Sequence, residues 1–341
     1  MAFDRRAFLL ATGCAMVCVG CSVASTTPKA MALNSWPSFK ALFYSEDGRI
    51  IDTGNGGISH SEGQGYGMLL AALADDRPAF EAMHRWSENH LLRADMALFS
   101  WRYDPALQVP VSDLNNASDG DILIAWALMV AGDRWQHEAY LQRAKDVRQA
   151  IRAHLLVERH GLFVLLPGLV GFDAAERTTL NPAYYIWPAF ELFRAADGDE
   201  YWGRLMTDGE TMMDRSKFGA LRLPTDWVDL LPDGVFQPAQ GKPARFGFDA
   251  IRAPLYLILG GRASQTANFK QYWEAYLQQG RVIPAWVDVE TGETAPYPLS
   301  RGGLDIVARV VGRPVSDPGG IPEPDYYSVV LSQLASLPPQ N

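Results

Sequence analysis

Three short segments of the sequence place carboxylate side chains in settings that are unusual for a solvated surface. In the first, residues 59–68, Glu62 and Tyr66 stand four residues apart and share one face of a predicted helix. The same segment contains three glycines, and each glycine costs a helix about 1 kcal/mol relative to alanine. Such a run is expected where a facing helix or a ligand approaches the backbone closely. Glu62 is therefore a candidate for acid–base chemistry.

A structural interpretation of Glu62 fits the same spacing. Ser59 and Glu62 match a capping box, in which the carboxylate only satisfies a free backbone N–H group at the start of a helix. Because capping boxes are common, spacing alone favours this interpretation.

The second segment, residues 115–121, places Asp119 and Asp121 at the entrance of an apolar helix that continues through residues 122–130. Taken alone, Ser118 or either acid is best interpreted as the N-cap of that helix.

In the third segment, residues 245–254, Asp249 and Arg252 stand three residues apart. The structural interpretation is a surface ion pair on a helix. If Asp249 lies in a cleft instead, the guanidinium is expected to lower its pKa and keep it ionised, as a general base requires.

Two aromatic residues and one further acid are weaker candidates. Tyr184 lies on an apolar helix and is usually interpreted as core. Trp101 lies between predicted helices, which favours a rim or platform over the core. Asp325 opens the last helix and is interpreted as its cap.

Several other chemistries have no support in the sequence. The six histidines show neither H-E-x-x-H nor another metal-ligand spacing. Neither a nucleophile elbow nor a phosphate-binding or dinucleotide-binding loop is present. The net charge of −9 argues against nucleic acid as a partner. We therefore expect carboxylate chemistry without a metal or a cofactor.

The elements that must position these residues are mostly helical. Apolar stretches of helical period are separated by loops rich in glycine and proline, which predicts an all-α protein of stacked helical hairpins that can close into a ring. Short β pieces are predicted at residues 161–166 and 282–287. The predicted helices cover residues 35–44, 61–74, 76–91, 119–131, 136–155, 181–195, 198–214, 247–259, 264–278, 301–311 and 324–337.

The beginning of the chain has the form of an export signal. Arg5 and Arg6 precede an apolar stretch at residues 8–19, a pattern similar to a twin-arginine signal. We assign residues 1–32 to this signal and residues 33–341 to a single catalytic domain. Cys21 is a candidate lipoprotein site, whereas the small residues 30–32 fit soluble release. A periplasmic or secreted location follows, with contact to a membrane only through a lipid anchor.

Taken together, the three acidic segments resemble those of glycoside hydrolase family 8, and in particular the endoglucanases that accompany bacterial cellulose synthesis. Residues 61–68 (Ser-Glu-Gly-Gln-Gly-Tyr-Gly-Met) look like the segment that bears the family's general acid. Residues 117–121 (Ala-Ser-Asp-Gly-Asp) are similar to its signature, and residues 248–254 look like the segment of the general base. The resemblance runs in order from about residue 34 to residue 338.

The resemblance implies an (α/α)6 barrel and an inverting, endo-acting hydrolase of β-1,4-glucan, with small β pieces on the loop side. It implies Glu62 as general acid, Asp249 as general base and Asp119 at the cleavage subsite. Because a general acid must stay protonated near neutral pH, we expect an apolar or aromatic setting around Glu62. Tyr184 would help to hold the attacking water and Trp101 would stack on a sugar ring. We also assign Arg252 and Tyr66 to substrate binding. A cellulose synthase complex is the partner that the resemblance suggests.

Two alternatives stay open at this point. The same family includes xylanases, chitosanases and mixed-linkage glucanases, and loops that the sequence does not define decide the polymer. A glycan-binding protein of the cell envelope without catalytic activity would need the aromatic residues but not the acid–base pair.

Overall fold

The computed structural model describes residues 35–316 and 325–339. The predicted export signal and Cys21 lie outside the described residues.

The described residues form eleven α-helices, and each predicted helix has a counterpart among them. The largest differences are at the starts of α6 and α8, which begin six and five residues later than predicted. Residues 181–184 form only a short 3-10 turn ahead of α6, and Asp249 lies in a turn before α8 rather than inside the helix. The helices are α1 (Trp36–Phe43), α2 (Ser61–Leu73), α3 (Arg77–His90), α4 (Ser118–Arg134), α5 (Glu138–His154), α6 (Trp187–Asp197), α7 (Trp202–Arg215), α8 (Arg252–Leu259), α9 (Ala267–Gln278), α10 (Arg301–Val311) and α11 (Tyr326–Ala335).

Six of the described helices pair as three hairpins whose members are joined by short turns. Turns of three or four residues join α2 to α3, α4 to α5 and α6 to α7, and longer connections return the chain to the next pair. In the first two hairpins, the first helix (α2 or α4) is buried on nearly all sides, whereas the second helix (α3 or α5) buries one face only. A helix without a polar face belongs in a protein interior, so α2 and α4 are inner helices.

Glycine lets the inner helices α2 and α4 approach closely. A Cβ atom added to Gly65 would lie 2.5 Å from the Cβ atom of Leu123 on α4, and one added to Gly67 would lie 2.7 Å from side-chain atoms of Ile50 and Met83. The glycine run in α2 therefore serves close packing, as the sequence predicted.

The β structure is more extensive than predicted. The hairpin expected at residues 161–166 is present as β4 paired with β3, but most of residues 282–287 is not a strand, and only Val287 belongs to one. A four-stranded antiparallel sheet, β5-β6-β7-β8, was not predicted because its strands are only two to four residues long. The strands are β1 (Ser59–His60), β2 (Arg102–Tyr103), β3 (Leu156–Arg159), β4 (Leu162–Leu165), β5 (Asp173–Ala174), β6 (Arg177–Leu180), β7 (Val228–Leu230), β8 (Phe236–Pro238), β9 (Arg245–Phe246) and β10 (Val287–Asp288).

The N-terminal ends of α2, α4 and α8 meet at one end of the helical array, where they and the loop before β1 surround a common pocket. Among the described helices, none combines the length and the apolar character that crossing a membrane requires.

Candidate active site

One pocket brings together most of the site residues predicted from the sequence. It is a cavity of about 250 Å³. Six of the seven predicted residues line it, namely Glu62, Trp101, Asp119, Tyr184, Asp249 and Arg252. The seventh, Tyr66, lies behind Glu62 and is 1% exposed.

Glu62 stands in the first turn of α2, but it does not cap the helix. The N-cap is His60, whose Nδ1 accepts a hydrogen bond from the N–H group of Gly63 at 3.0 Å. Ser59 instead donates its hydroxyl proton to the carbonyl of Ile50. The capping-box interpretation is therefore wrong, because β1 holds Ser59 in an extended conformation away from the helix start. The Glu62 carboxylate is left available for chemistry.

The surroundings of Glu62 are polar and include a cation. Arg252 donates from Nη1 to Oε1 of Glu62, and the Tyr66 hydroxyl lies 3.4 Å from the same oxygen. Tyr66 is in turn 2.6 Å from the hydroxyl of Tyr256. The apolar setting expected for a general acid is not what the structure shows. Tyr66 and Arg252 instead hold one oxygen of the carboxylate in place.

Arg252 joins the two central carboxylates. Its side chain is 3% exposed, and its Nη2 donates to Oδ1 of Asp249 at 2.6 Å while Nη1 contacts Glu62. The interpretation of Asp249 and Arg252 as a surface pair is therefore wrong. Because α8 begins at Arg252, the guanidinium points into the pocket from the helix start.

The electrostatics of Asp249 differ from the sequence expectation. Removal from bulk water raises its pKa well above the usual range, and the nearby carboxylates of Asp226 and Asp119 raise it further. The expected lowering by Arg252 does not prevail, because burial raises the pKa of Asp249 most and the carboxylates of Asp226 and Asp119 act in the same direction. Spacing along the chain reveals neither the burial nor these neighbours. A carboxylate with a raised pKa is a stronger base once it is ionised.

Asp119 stands in the first turn of α4 and is also not a cap. The N-cap residue is Ala117, and it makes no side-chain cap bond. Oδ1 of Asp119 accepts from the N–H group of Gly120 at 2.8 Å, and burial raises its pKa to about 7. Asp121 points away from the pocket and accepts from the N–H group of Phe99 at 2.8 Å. Of these two acids, only Asp119 lines the pocket.

Tyr184 and Trp101 both line the pocket wall. Burial and the charges of Asp119 and Asp249 raise the pKa of Tyr184 well above its usual range, so its hydroxyl stays protonated at neutral pH and can donate a hydrogen bond. Trp101 is half-buried, and its indole N–H donates to Oδ2 of Asp113 at 2.7 Å. Trp101 therefore lies outside the core and lines the pocket, and its stacking on a sugar stays a prediction.

Sequence reasoning missed two polar residues beside Asp249. Asn181 is 1% exposed, and its side chain lowers the pKa of Asp249. Its place before Pro182 could have indicated a turn at this point, because Asn is common in turns. Asp226 accepts three backbone hydrogen bonds from the segment that bears Asp249. No pattern in the sequence marks Asp226, since it stands 23 residues before Asp249.

The pocket can support acid–base chemistry by two carboxyl groups held apart by one guanidinium. Within residues 35–316 and 325–339, no group of three or more His, Cys, Asp or Glu side chains is arranged to hold a metal ion.

Comparison with known proteins shows a consistent similarity over most of the chain. A family model described as glycosyl hydrolases family 8 matches residues 8–340. A probable endoglucanase of Novacetimonas hansenii is 39% identical over 323 residues, which is 92% of each chain. A solved endoglucanase of Klebsiella pneumoniae is 40% identical with a TM-score of 0.84, covering 88% of this chain and 96% of its own. An endo-β-1,4-glucanase of Acetobacter xylinum is 37% identical with a TM-score of 0.82, covering 89% and 96%. The predicted (α/α)6 barrel is confirmed.

Proposed function

The chain belongs to glycosyl hydrolase family 8, and from this we propose that it cleaves β-1,4-glucan internally with inversion of the anomeric centre. The observation that carries the proposal is that Glu62 and Asp249 contact the two amino groups of one guanidinium in a single pocket. An inverting glycosidase needs two carboxyl groups with room between them for a water molecule.

Glu62 acts as the general acid. Its Oε1 is held by Arg252 and Tyr66, whereas its Oε2 has no hydrogen bond to any described residue and lies 3.7 Å from Nδ1 of His60. Oε2 is therefore the oxygen that can carry the proton to the leaving glycosidic oxygen. Protonation of that oxygen lowers the barrier to breaking the bond.

Asp249 acts as the general base. It takes a proton from the water that attacks the anomeric carbon on the face opposite to the leaving group. Tyr184 and Asn181 lie beside it and can orient this water by hydrogen bonds. Asp119 hydrogen-bonds the sugar ring as it distorts towards the oxocarbenium-like transition state, an interaction that raises the rate more than the affinity.

The experiment that tests the roles compares Glu62→Gln and Asp249→Asn with Glu81→Gln, a partly exposed carboxylate on the outer helix α3 that pairs with Arg77. Hydrolysis of carboxymethylcellulose should be nearly abolished by the first two substitutions and unchanged by the third. Substantial activity in either site variant would overturn its assigned role. Optical rotation during hydrolysis of a soluble cello-oligosaccharide distinguishes inversion from retention.

The polymer is tested by measuring release of reducing ends from carboxymethylcellulose, mixed-linkage β-glucan, xylan and chitosan. Fastest turnover of carboxymethylcellulose is expected. Preference for another polymer would reassign the substrate within the family, and binding without turnover would contradict a catalytic role.

The place of this activity in the cell is part of the same proposal. Residues 1–32 support export to the periplasm or beyond, with Cys21 as a lipid attachment point, and the endoglucanases that the sequence resembles support a link to cellulose synthesis and its synthase complex. Fractionation of cells, with and without Cys21→Ala, tests export and anchoring separately. Loss of cellulose output on deletion of the gene tests the biosynthetic link.

A further inference from the structure

We propose that Asp226 is a positioning residue for this reaction, holding the turn that carries Asp249 so that the base faces the substrate side of the pocket. The inference rests on the proposed function. Oδ1 of Asp226 accepts hydrogen bonds from the N–H groups of Gly247 at 3.1 Å, Asp249 at 3.1 Å and Ala250 at 2.8 Å.

The turn that leads into α8 is held by this carboxylate. The residue at its N-cap position, Ile251, cannot cap through its side chain, and no side-chain cap bond is formed there. The first N–H groups of α8 need acceptors, and those of Arg252 and Ala253 donate to the carbonyls of Asp249 and Ala250 in the preceding turn. Asp226, from a different part of the chain, accepts the N–H groups of that same turn. Since Asp249 and Arg252 belong to this turn and the helix that follows it, one carboxylate orients both the base and the guanidinium that bridges to Glu62.

Gly247 provides the room for this arrangement. A Cβ atom added at residue 247 would lie 3.0 Å from Oδ2 of Asp226 and 3.2 Å from the Cβ atom of Trp286. The backbone of Asp226 is fixed as well, because its N–H group donates to the carbonyl of Arg245 at 2.8 Å. The carboxylate is thus held on both sides against the turn.

Asp226 also acts on Asp249 through its charge. After burial, it is the largest cause of the raised pKa of Asp249. Burial also raises the pKa of Asp226 itself to about 6, against the lowering effect of its three N–H donors and of Arg245. The other ionisable groups around Asp249 are Asp119 on α4, Arg252 on α8, Lys242 in the loop after β8, Tyr184 before α6 and Tyr327 on α11.

The decisive variant is Asp226→Asn, which removes the negative charge while its side-chain carbonyl can still accept the three N–H bonds. Asp249 then ionises more easily, so the acid limb of the kcat/KM profile should move to lower pH by about half a unit or more. The value of kcat on the plateau should fall modestly, because the base is weaker, with KM unchanged.

A second variant, Asp226→Ala, removes both the charge and the acceptor. Its acid limb should move as in Asp226→Asn, but kcat should fall at least about tenfold further because the turn loses its anchor. The difference between the two variants measures positioning alone, and it appears in kcat rather than in KM.

Asp229→Asn is the matched control. Asp229 lies three residues further along on β7, is 0% exposed, and accepts from Thr179 at 2.6 Å and from the N–H group of Gln240 at 2.8 Å. Asp229 is not among the main charges that act on Asp249. The Asp229→Asn substitution should therefore leave the acid limb of the kcat/KM profile in place, even if it changes the melting temperature.

The proposal would be overturned if the acid limb of Asp226→Asn coincided with that of the active wild type. Equal kcat values in Asp226→Asn and Asp226→Ala would overturn it as well. If Asp226→Ala does not fold, Asp226→Asn decides alone. Failure of the wild type to hydrolyse β-1,4-glucan would instead contradict the proposed function, and the role of Asp226 would fall with it.

Discussion

Arg252 contacts Glu62, which is 190 residues away along the chain, and Asp249, which is three residues away, through different nitrogen atoms of one guanidinium. The planar guanidinium is suited to this because its donors point in fixed directions. It neutralises part of the negative charge gathered by Glu62, Asp249 and Asp119, and it sets the spacing of the two carboxyl groups that we assign to acid and base.

Substitution of Arg252 by Lys should therefore cost activity although the positive charge remains. A single ammonium group cannot hold both carboxylates at the same separation, and we expect kcat/KM to fall about 100-fold, mainly through kcat. Steady-state kinetics on carboxymethylcellulose checks this. Arg262→Lys is a suitable control, because Arg262 also contacts two carboxylates, Glu191 and Glu210, but these lie outside the pocket. Equal losses in the two variants would contradict a specific role for Arg252.

Asp119 should make the stability of the protein depend on pH. Its pKa is raised from 3.8 to about 7 in the folded state, so the folded protein binds this proton more tightly than the unfolded chain does. The stabilising contribution of Asp119 is fully present below the pKa that it has in the unfolded chain. It is lost as the pH rises through the pKa that it has in the folded protein. The free energy of unfolding should fall by at most about 4 kcal/mol between pH 4 and pH 7 from this group.

Urea unfolding of the wild type and of Asp119→Asn across this range measures the effect. The variant should lose less stability as the pH rises and should be the more stable protein near pH 8. Parallel pH dependence in the two proteins would show that Asp119 is not the group responsible.

Trp101→Ala should weaken binding of cello-oligosaccharides about tenfold, which corresponds to about 1.4 kcal/mol. Isothermal titration with the inactive Asp249→Asn background measures the affinity. Trp135→Ala is the matched control, since Trp135 is also half-buried and its indole N–H donates to Asp75 at 2.7 Å, but it lies at the other end of α4 from Asp119. Unchanged affinity in Trp101→Ala would make this residue structural.

Gly65→Ala should destabilise the fold by about 1–3 kcal/mol, because the new methyl group would push α2 away from α4. The clash is with the Cβ atom of Leu123 and the backbone beside it, which cannot move independently of the helix. In Gly132→Ala the two nearest atoms, at 2.5 and 2.7 Å, are Cδ2 and Cγ of Leu141, which belong to a side chain that can change its rotamer, and the nearest backbone atom lies at 3.2 Å. Thermal unfolding should therefore show a larger loss at residue 65 than at residue 132.

Much of the fold could be predicted because helices are encoded locally. The apolar period and the glycine and proline signals predicted α2 within one residue at its C-terminal end, and residues 301–311 were predicted with the bounds that α10 has. The strands β5 to β8 could not be predicted in this way, since two to four residues carry too little pattern and their pairing depends on distant partners.

The amino-acid sequence by itself determined most of the helices and marked three acidic residues as candidates: Glu62 in a glycine-rich helix start, Asp119 before an apolar helix and Asp249 ahead of Arg252. Local context alone favoured capping or surface pairing for these residues, and the resemblance to glycoside hydrolase family 8 supplied their catalytic assignments. Only the tertiary structure decided what surrounds them. It replaced the expected apolar setting of Glu62 by Arg252, placed Asp226 under the turn of Asp249 and raised a pKa that was expected to fall. The physical reason is that electrostatic and hydrogen-bond energies depend on distances in space, and the decisive neighbours are separated by 23 to 190 residues along the chain.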